Sequence, residues 1–460
     1  MEAAPPGSRT GLLGHVFALL HRRLRTYRGD PARPSFSWNV VVMLAGTFAG
    51  QGISILLSPV LTRIYDPSAF GYLGVYSVVL YTLSVTSCLG LDLAIPITAT
   101  TFECANLLAL SGIVLCLTTV AVAAVSCLVP SDILSSLWLG SLTSYRALLP
   151  IGFFALGGYF LMVAAATRAH AFQAIARTRV AQGLAGPVSQ IALGLSGAGA
   201  VGLPIGFVIG QSSGTFQLFS RTVLRDPVMR ASVSRRGIAA VARRYIGFPL
   251  FASWAKVLEM AGSSAALYVL FAACFSSEIV GFMALSERVI LRPLLMVSTS
   301  ILQVFTGEAG RTITRDPVQL RRRFRQVVSR QFLFAAGLIL LTNLLAGWAF
   351  PLVFGAVWAD AVPYLQASSL AYLSLSILHP ISNMLQMLER QVLAASWQAG
   401  RLILVVLAVL GPWQVGYSAV ETLWIVSFVQ AACCTLMLGL TAWSIDRQVA
   451  LAAASDDVNL

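Results

Sequence analysis

Apolar runs long enough to cross a bilayer recur from residue 38 to residue 443, and the intervals between them are short and rich in arginine. A helix rising about 1.5 Å per residue needs about 20 apolar residues to span the hydrocarbon core. The pattern predicts about twelve such helices. Six fall near residues 38–62, 69–91, 104–129, 147–166, 180–196 and 199–219, and six near 246–273, 279–305, 331–350, 361–386, 397–413 and 417–443. The fold class they predict is an all-α polytopic membrane protein.

Residues 1–35 precede the first run. They hold a short apolar stretch, Gly11–Leu20, with the basic His21–Arg25 directly behind it and no small-residue cleavage site. That order argues against a signal peptide and for a basic tail or interfacial helix. Residues 220–245 read as a basic linker and 444–460 as a C-terminal tail.

Composition agrees. The chain is 57% hydrophobic and 11% charged, with a mean hydropathy of +0.80, outside the range of soluble globular domains. A net charge of +13 would suit a nucleic-acid partner, but the charges sit in the intervals between apolar runs, where they report topology instead. If the N-terminal tail is cytoplasmic, 26 of the 31 basic residues fall in inside intervals, and the outside ones hold only Arg63 and Arg146. That asymmetry predicts cytoplasmic N and C termini.

The chain also repeats weakly. At an offset of 210 residues, Phe70-Gly71-Tyr72-Leu73 aligns with Val280-Gly281-Phe282-Met283, each opening a helix after a short outside loop. Six helices per half give two lobes of the same orientation, residues 36–219 and 246–443.

Polar residues inside the runs are the candidate chemistry. Thr47, Gln51, Ser54 and Ser58 form one stripe on the first helix; Lys256, Glu259 and Ser263 form another on the seventh. On the eighth, Arg288, Arg292, Thr299 and Gln303 form a third. Hydroxyl and amide groups in such helices commonly serve helix–helix hydrogen bonding. Charges differ, because each costs about 2.5–3.5 kcal/mol at the bilayer centre. Arg288 and Arg292, four residues apart, are expected to share one helical face and, with Lys256, to line a cavity. Arg292 has a second reading, as the partner of Glu259 or Glu287. Guanidinium forks suit phosphate oxygens. Glu259 and Glu287 could neutralise such cations or bind a coupling proton or sodium ion. Gly202, Gly206, Gly210 and Gly214 give the sixth helix a smooth packing face.

Catalysis finds little support. The outside loops are short, and no nucleophile with a base, carboxylate pair or phosphate-cradling loop stands out. Seven cysteines without metal spacing and four scattered histidines predict no metal and no cofactor.

The stretch Gly46-Thr47, Gln51, Ser58-Pro59-Val60-Leu61-Thr62-Arg63-Ile64-Tyr65-Asp66-Pro67, Phe70-Gly71 resembles the opening of the polysaccharide-biosynthesis flippases. These are exporters of O-antigen and other lipid-linked oligosaccharides, related to the multidrug and toxin extrusion transporters. Leu93-Ala94-Ile95, Phe248-Pro249, Val280-Gly281-Phe282 with Arg288-Val289, Gln303-Val304-Phe305 with Glu308-Ala309, and Phe354-Gly355 with Trp358 follow in order. Leu91 and Asp92 stand where the family often has an aromatic residue and a glutamate, and Arg292 is outside the pattern.

The resemblance implies two six-helix lobes around a central cavity working by alternating access. The implied substrate is a polyprenyl-pyrophosphate-linked oligosaccharide. The implied partners are that substrate, membrane lipids, and a glycan polymerase with glycosyltransferases, in a bacterial inner membrane. A cation-coupled drug or metabolite antiporter of the related branch is the alternative, and a membrane enzyme or assembly scaffold a more distant third.

Overall fold

The computed structural model describes residues 36–458, apart from 131, 133–142, 144, 225, 250–264, 313–316, 383 and 389. Among the described residues all regular structure is helical. In the first half lie α1 (Phe36–Leu56), α2 (Ser58–Ile64), α3 (Pro67–Ser84), α4 (Thr101–Leu128), α5 (Leu148–Arg168), α6 (Phe172–Leu195) and α7 (Gly202–Ser212). The short α8 (Thr215–Phe219), α9 (Pro227–Ala231) and α10 (Arg235–Arg244) connect the halves. The second half contains α11 (Ala266–Cys274), α12 (Ser277–Ser286), α13 (Arg292–Thr312), α14 (Pro317–Phe354), α15 (Ala361–Leu378), α16 (Met384–Met387), α17 (Gln391–Val415) and α18 (Ala419–Val458).

Seven stretches are individually long and apolar enough to cross a membrane: Val41–Ile64, Thr101–Leu128, Leu148–Arg168, Val318–Phe354, Ala356–Ile381, Val392–Val415 and Ala419–Ala450. The chain is a multi-pass membrane protein.

Several predicted boundaries move, each for a local reason. The second run stops at Ser84; the chain goes on in turns through Leu89 and Gly90, which take left-handed backbone angles, and in 3₁₀ turns to Ile97. Gly214, at φ 83°, breaks the sixth run while still packing closely, against Thr178 of α6. The tenth ends at Leu378, before a 3₁₀ turn containing Pro380. The fifth begins earlier, at Phe172, so Arg177 and Arg179 belong to a helix instead of a loop. The eleventh begins earlier, at Gln391, and Arg401 within it, counted among the inside charges, is buried at 6% exposure. Most of the seventh run, including Lys256, Glu259 and Ser263, lies outside the described residues.

Neighbour relations recur between the halves. α4 packs on α5, α5 on α7, α6 on α7 and α1 on α6; α14 packs on α15, α15 on α18, α17 on α18 and α11 on α17. The 210-residue register holds in detail. Asp66 caps α3 by accepting from the Ala69 N–H at 2.8 Å, and Ser276 caps α12 by accepting from the Ile279 N–H at 3.3 Å. Both caps satisfy an otherwise orphaned first-turn donor.

Those two capped helices cross each other. A methyl on Gly71 would run into the Ser277 carbonyl, and one on Gly281 into the Pro67 carbonyl; each would also sit 3.2 Å from the other glycine's backbone nitrogen. The relation is reciprocal, as at a two-fold interface. Beside it, Trp358 (1% exposed) donates its indole N–H to the Thr62 carbonyl at 3.0 Å and packs edge-on against Phe70 at 5.0 Å.

A separate clamp holds the connecting segment to the first half. Glu103, in a capping box with Thr100, accepts from the Tyr245 hydroxyl and pairs with Arg244, both at 2.8 Å.

Gly71→Ala and Gly281→Ala are each expected to lower stability by about 1–3 kcal/mol through overpacking of the crossing. Gly52→Ala, which meets nothing within 4 Å, should be neutral or stabilising by up to about 1 kcal/mol. Thermal unfolding of the detergent-purified variants, side by side, checks this.

Candidate functional site

Below the glycine crossing the halves diverge around a cavity of about 220 Å³. Its first wall is the α1–α6 pair. Gly50 and Gly183 let these helices approach until their backbones touch, with the Gly50 position against the Arg179 carbonyl. Thr47, Gln51 and Ser54 line the cavity from α1, and Arg179, Gln182 and Gln190 from α6. Phe70, Ser77 and Tyr81 contribute from α3, and Gln211 from α7. The opposite wall carries Tyr268, Glu287, Arg288 and Arg292.

The polar groups on the first wall are linked. Gln182 donates to the Gln211 carbonyl at 2.9 Å, and the Gln211 amide donates to the Tyr81 hydroxyl at 2.7 Å. Gln190 is held between helices: its side-chain amide donates to Leu203 O at 2.9 Å and its main-chain carbonyl accepts from the Tyr65 hydroxyl. Thr47 bonds back to its own helix at Met43. Arg179 lies with its guanidinium 5.3 Å from the Tyr159 ring centroid, a cation–π contact.

The second wall departs from the expected geometry. Arg288 and Arg292 do not present themselves as one α-helical face. Residues Glu287–Leu291 form a π turn, in which the Arg292 N–H bonds five residues back to the Glu287 carbonyl. Pro293 supplies the cause. It has no N–H for the Val289 carbonyl, and its ring crowds that carbonyl, so the preceding turn widens.

In a widened turn, residues five apart come together. Arg292 therefore meets Glu287, with Nε at 3.1 Å and Nη2 at 3.0 Å from the same Oε1. The other carboxylate oxygen accepts from the Tyr268 hydroxyl at 2.6 Å. Arg288 turns toward the seam between the halves, donating to Ser58 Oγ at 3.2 Å and lying 5.8 Å from the Phe70 ring. Ser58, itself buried, bonds to the Ser54 carbonyl at 2.9 Å and so acts on the cavity through Arg288.

Of the residues marked in the sequence, Thr47, Gln51, Ser54, Glu287, Arg288 and Arg292 line one cavity. Gln303 lies further along α13. Lys256 and Glu259 are outside the described residues. Arg179, Gln182, Gln190 and Gln211 escaped the sequence reading. Arg179 falls just ahead of the fifth apolar run at 180–196, yet Arg179, Gln182, Gly186 and Gln190 follow the same three-to-four spacing as the stripe on α1 and carry the signal that finds them. Among the described lining residues, three guanidiniums face one carboxylate. The cavity is cationic and amide-rich. A second cavity, of about 260 Å³ and mostly apolar, lies behind Tyr268 and Glu287 in the second half and reaches Tyr372, His379 and Arg401.

A family model described as polysaccharide biosynthesis protein matches residues 60–363, two thirds of the chain. The chain belongs to that family. The match takes in α3, the glycine crossing, Arg179 and the whole π turn. No curated protein matches the sequence.

Solved structures with a similar fold are transporters. An inward-facing multidrug resistance MATE family transporter of the MOP superfamily superposes with a TM-score of 0.57 at 13% identity, over 89% of this chain and 98% of that one. The Vibrio cholerae MATE transporter VcmN, as a mutant, gives 0.57 at 14%, over 94% and 98%. A Pyrococcus furiosus MOP superfamily transporter, described as having a binding pocket of reversed polarity, gives 0.54 at 14%, over 92% and 98%. At these identities the likeness concerns the fold.

The Glu287–Arg292 pair should be weak, since the arginine side chain is 49% exposed and the glutamate 12%. A double-mutant cycle with Glu287→Gln and Arg292→Gln is expected to give a coupling of about 0.2–1 kcal/mol in unfolding free energy, shrinking as salt is raised.

Proposed function

We propose that the chain is a flippase for a polyprenyl-pyrophosphate-linked oligosaccharide, moving it across the bacterial cytoplasmic membrane by alternating access for surface polysaccharide biosynthesis. The observation that carries this reading is the cavity's charge: Arg179, Arg288 and Arg292 against Glu287, inside a membrane domain. Guanidiniums at such depth are costly unless something negative visits them. A diphosphate offers oxygens matched to their forks. The oligosaccharide behind it needs hydroxyl and amide partners, which Gln51, Gln182, Ser77 and Tyr81 provide. The apolar tail stays in the bilayer.

Membership in a polysaccharide biosynthesis family supports the substrate class, and the transporter fold supports movement rather than bond-making. The Pyrococcus furiosus neighbour, with its reversed polarity, makes the sign of the cavity more informative than the fold. An antiporter for cationic drugs would call for surplus carboxylate, whereas Glu287, the acidic group among the described lining residues, is already engaged.

In this reading the helices form about twelve spans in two six-helix lobes, 36–219 and 246–443, joined by the linker 220–245, with both termini cytoplasmic. The Trp358–Phe70 seam then closes the outer end, and the cavity opens inward. A glycan polymerase and glycosyltransferases act before and after the transport step, and the chain itself is not an enzyme.

In cells carrying Arg288→Ala or Arg179→Ala in place of the native chain, surface polysaccharide should be lost while lipid-linked precursor accumulates on the cytoplasmic side. Correctly inserted variants that still display normal surface glycan would sink the reading.

A further inference from the structure

Arg292 and Arg288 are held by different kinds of partner. Arg288 rests on a hydroxyl and a ring, both neutral. Arg292 is occupied by a carboxylate of its own chain, reached only because the π turn closes the five-residue gap. That occupation is geometrically poor. Both Nε and Nη2 converge on a single oxygen, Oε1, because Tyr268 already holds Oε2 at 2.6 Å. A guanidinium is best met by two oxygens in parallel, and a phosphate group supplies them.

Exposure points the same way. Glu287 is anchored and nearly covered, whereas the Arg292 side chain stands 49% exposed at the cavity. The residue free to change partners is the arginine.

We propose that Glu287 is a positioning residue that occupies Arg292 in the empty cavity, and that an incoming phosphate oxyanion takes Arg292 from it. Glu287 thereby sets the affinity of the site. It keeps the cavity's third cation neutralised between visits, so that the bound anion is held strongly enough to enter and weakly enough to leave. The released carboxylate keeps its bond from Tyr268. This inference rests on the reading of the cavity as a diphosphate site.

The test uses inorganic pyrophosphate as the probe, titrated calorimetrically into the purified full-length protein. Glu287→Gln, which retains size but removes the charge and one acceptor oxygen, should bind up to about fivefold tighter than the native chain. Glu287→Asp, which restores the charge, should return affinity toward the native value. The gain must vanish in Glu287→Gln combined with Arg292→Gln, since it depends on the freed guanidinium. A structurally damaged cavity would lose affinity, so a gain that requires Arg292 separates the two explanations.

Equal affinity in the native chain and Glu287→Gln, with Arg288→Ala still weakening both, overturns this inference and leaves the diphosphate site standing. Failure of the native chain to bind pyrophosphate overturns both.

Discussion

The contact on which the rest of the arrangement depends is the crossing of α3 and α12 at Gly71 and Gly281. Two helices can approach until backbone meets backbone only where neither carries a side chain, and here the requirement is mutual. The crossing fixes the distance between the halves at one end. It is flanked by capped helix starts, Asp66 and Ser276, that set the entry angle of each helix. Further along the two helices the walls leave room for a ligand, and beside the crossing Trp358 packs edge-on against Phe70 and Phe282.

The same crossing explains why the repeat was readable from so little. Only a few residues align at an offset of 210, but they include Gly71 and Gly281, where geometry tolerates no alternative, and in each half a capping side chain stands five residues earlier. Elsewhere the halves have only to bury similar surfaces, and many sequences do that equally well. Helix existence was legible for the same reason that apolar runs are obligatory in a bilayer. Boundaries were not, because they rest on left-handed residues such as Leu89 and Gly214, or on Pro380, whose effects depend on the fold around them.

The candidate site was half legible. Charges near the middle of the eighth run stood out, since their cost is visible without a structure. Their geometry did not, because face-sharing four residues apart presumes the α-helical period, and the turn at Glu287–Leu291 does not obey it. Pro293 was the available clue. Arg179 was hidden by a different assumption: that an arginine at the end of an apolar run belongs to the loop. Charge-counting rules average over many arginines and lose the individual one that is drawn inward, as Arg179 and Arg401 both are.

The π turn has a consequence for how this cavity manages its charge. In an uninterrupted α-helix, Arg288 and Arg292 would lie side by side, and two unneutralised guanidiniums a few ångströms apart repel each other. Widening the turn sends Arg288 to the seam with the first half and Arg292 to Glu287, so the repulsion is relieved while both remain at the cavity. Arg179 completes the distribution from the opposite wall. Cations are thus spread over both halves of the molecule. A diphosphate bound between them would tie the two walls together, and a rearrangement that parts the walls would divide its partners. On the proposed reading, binding and release would be opposite consequences of one separation, that of α6 from the π turn.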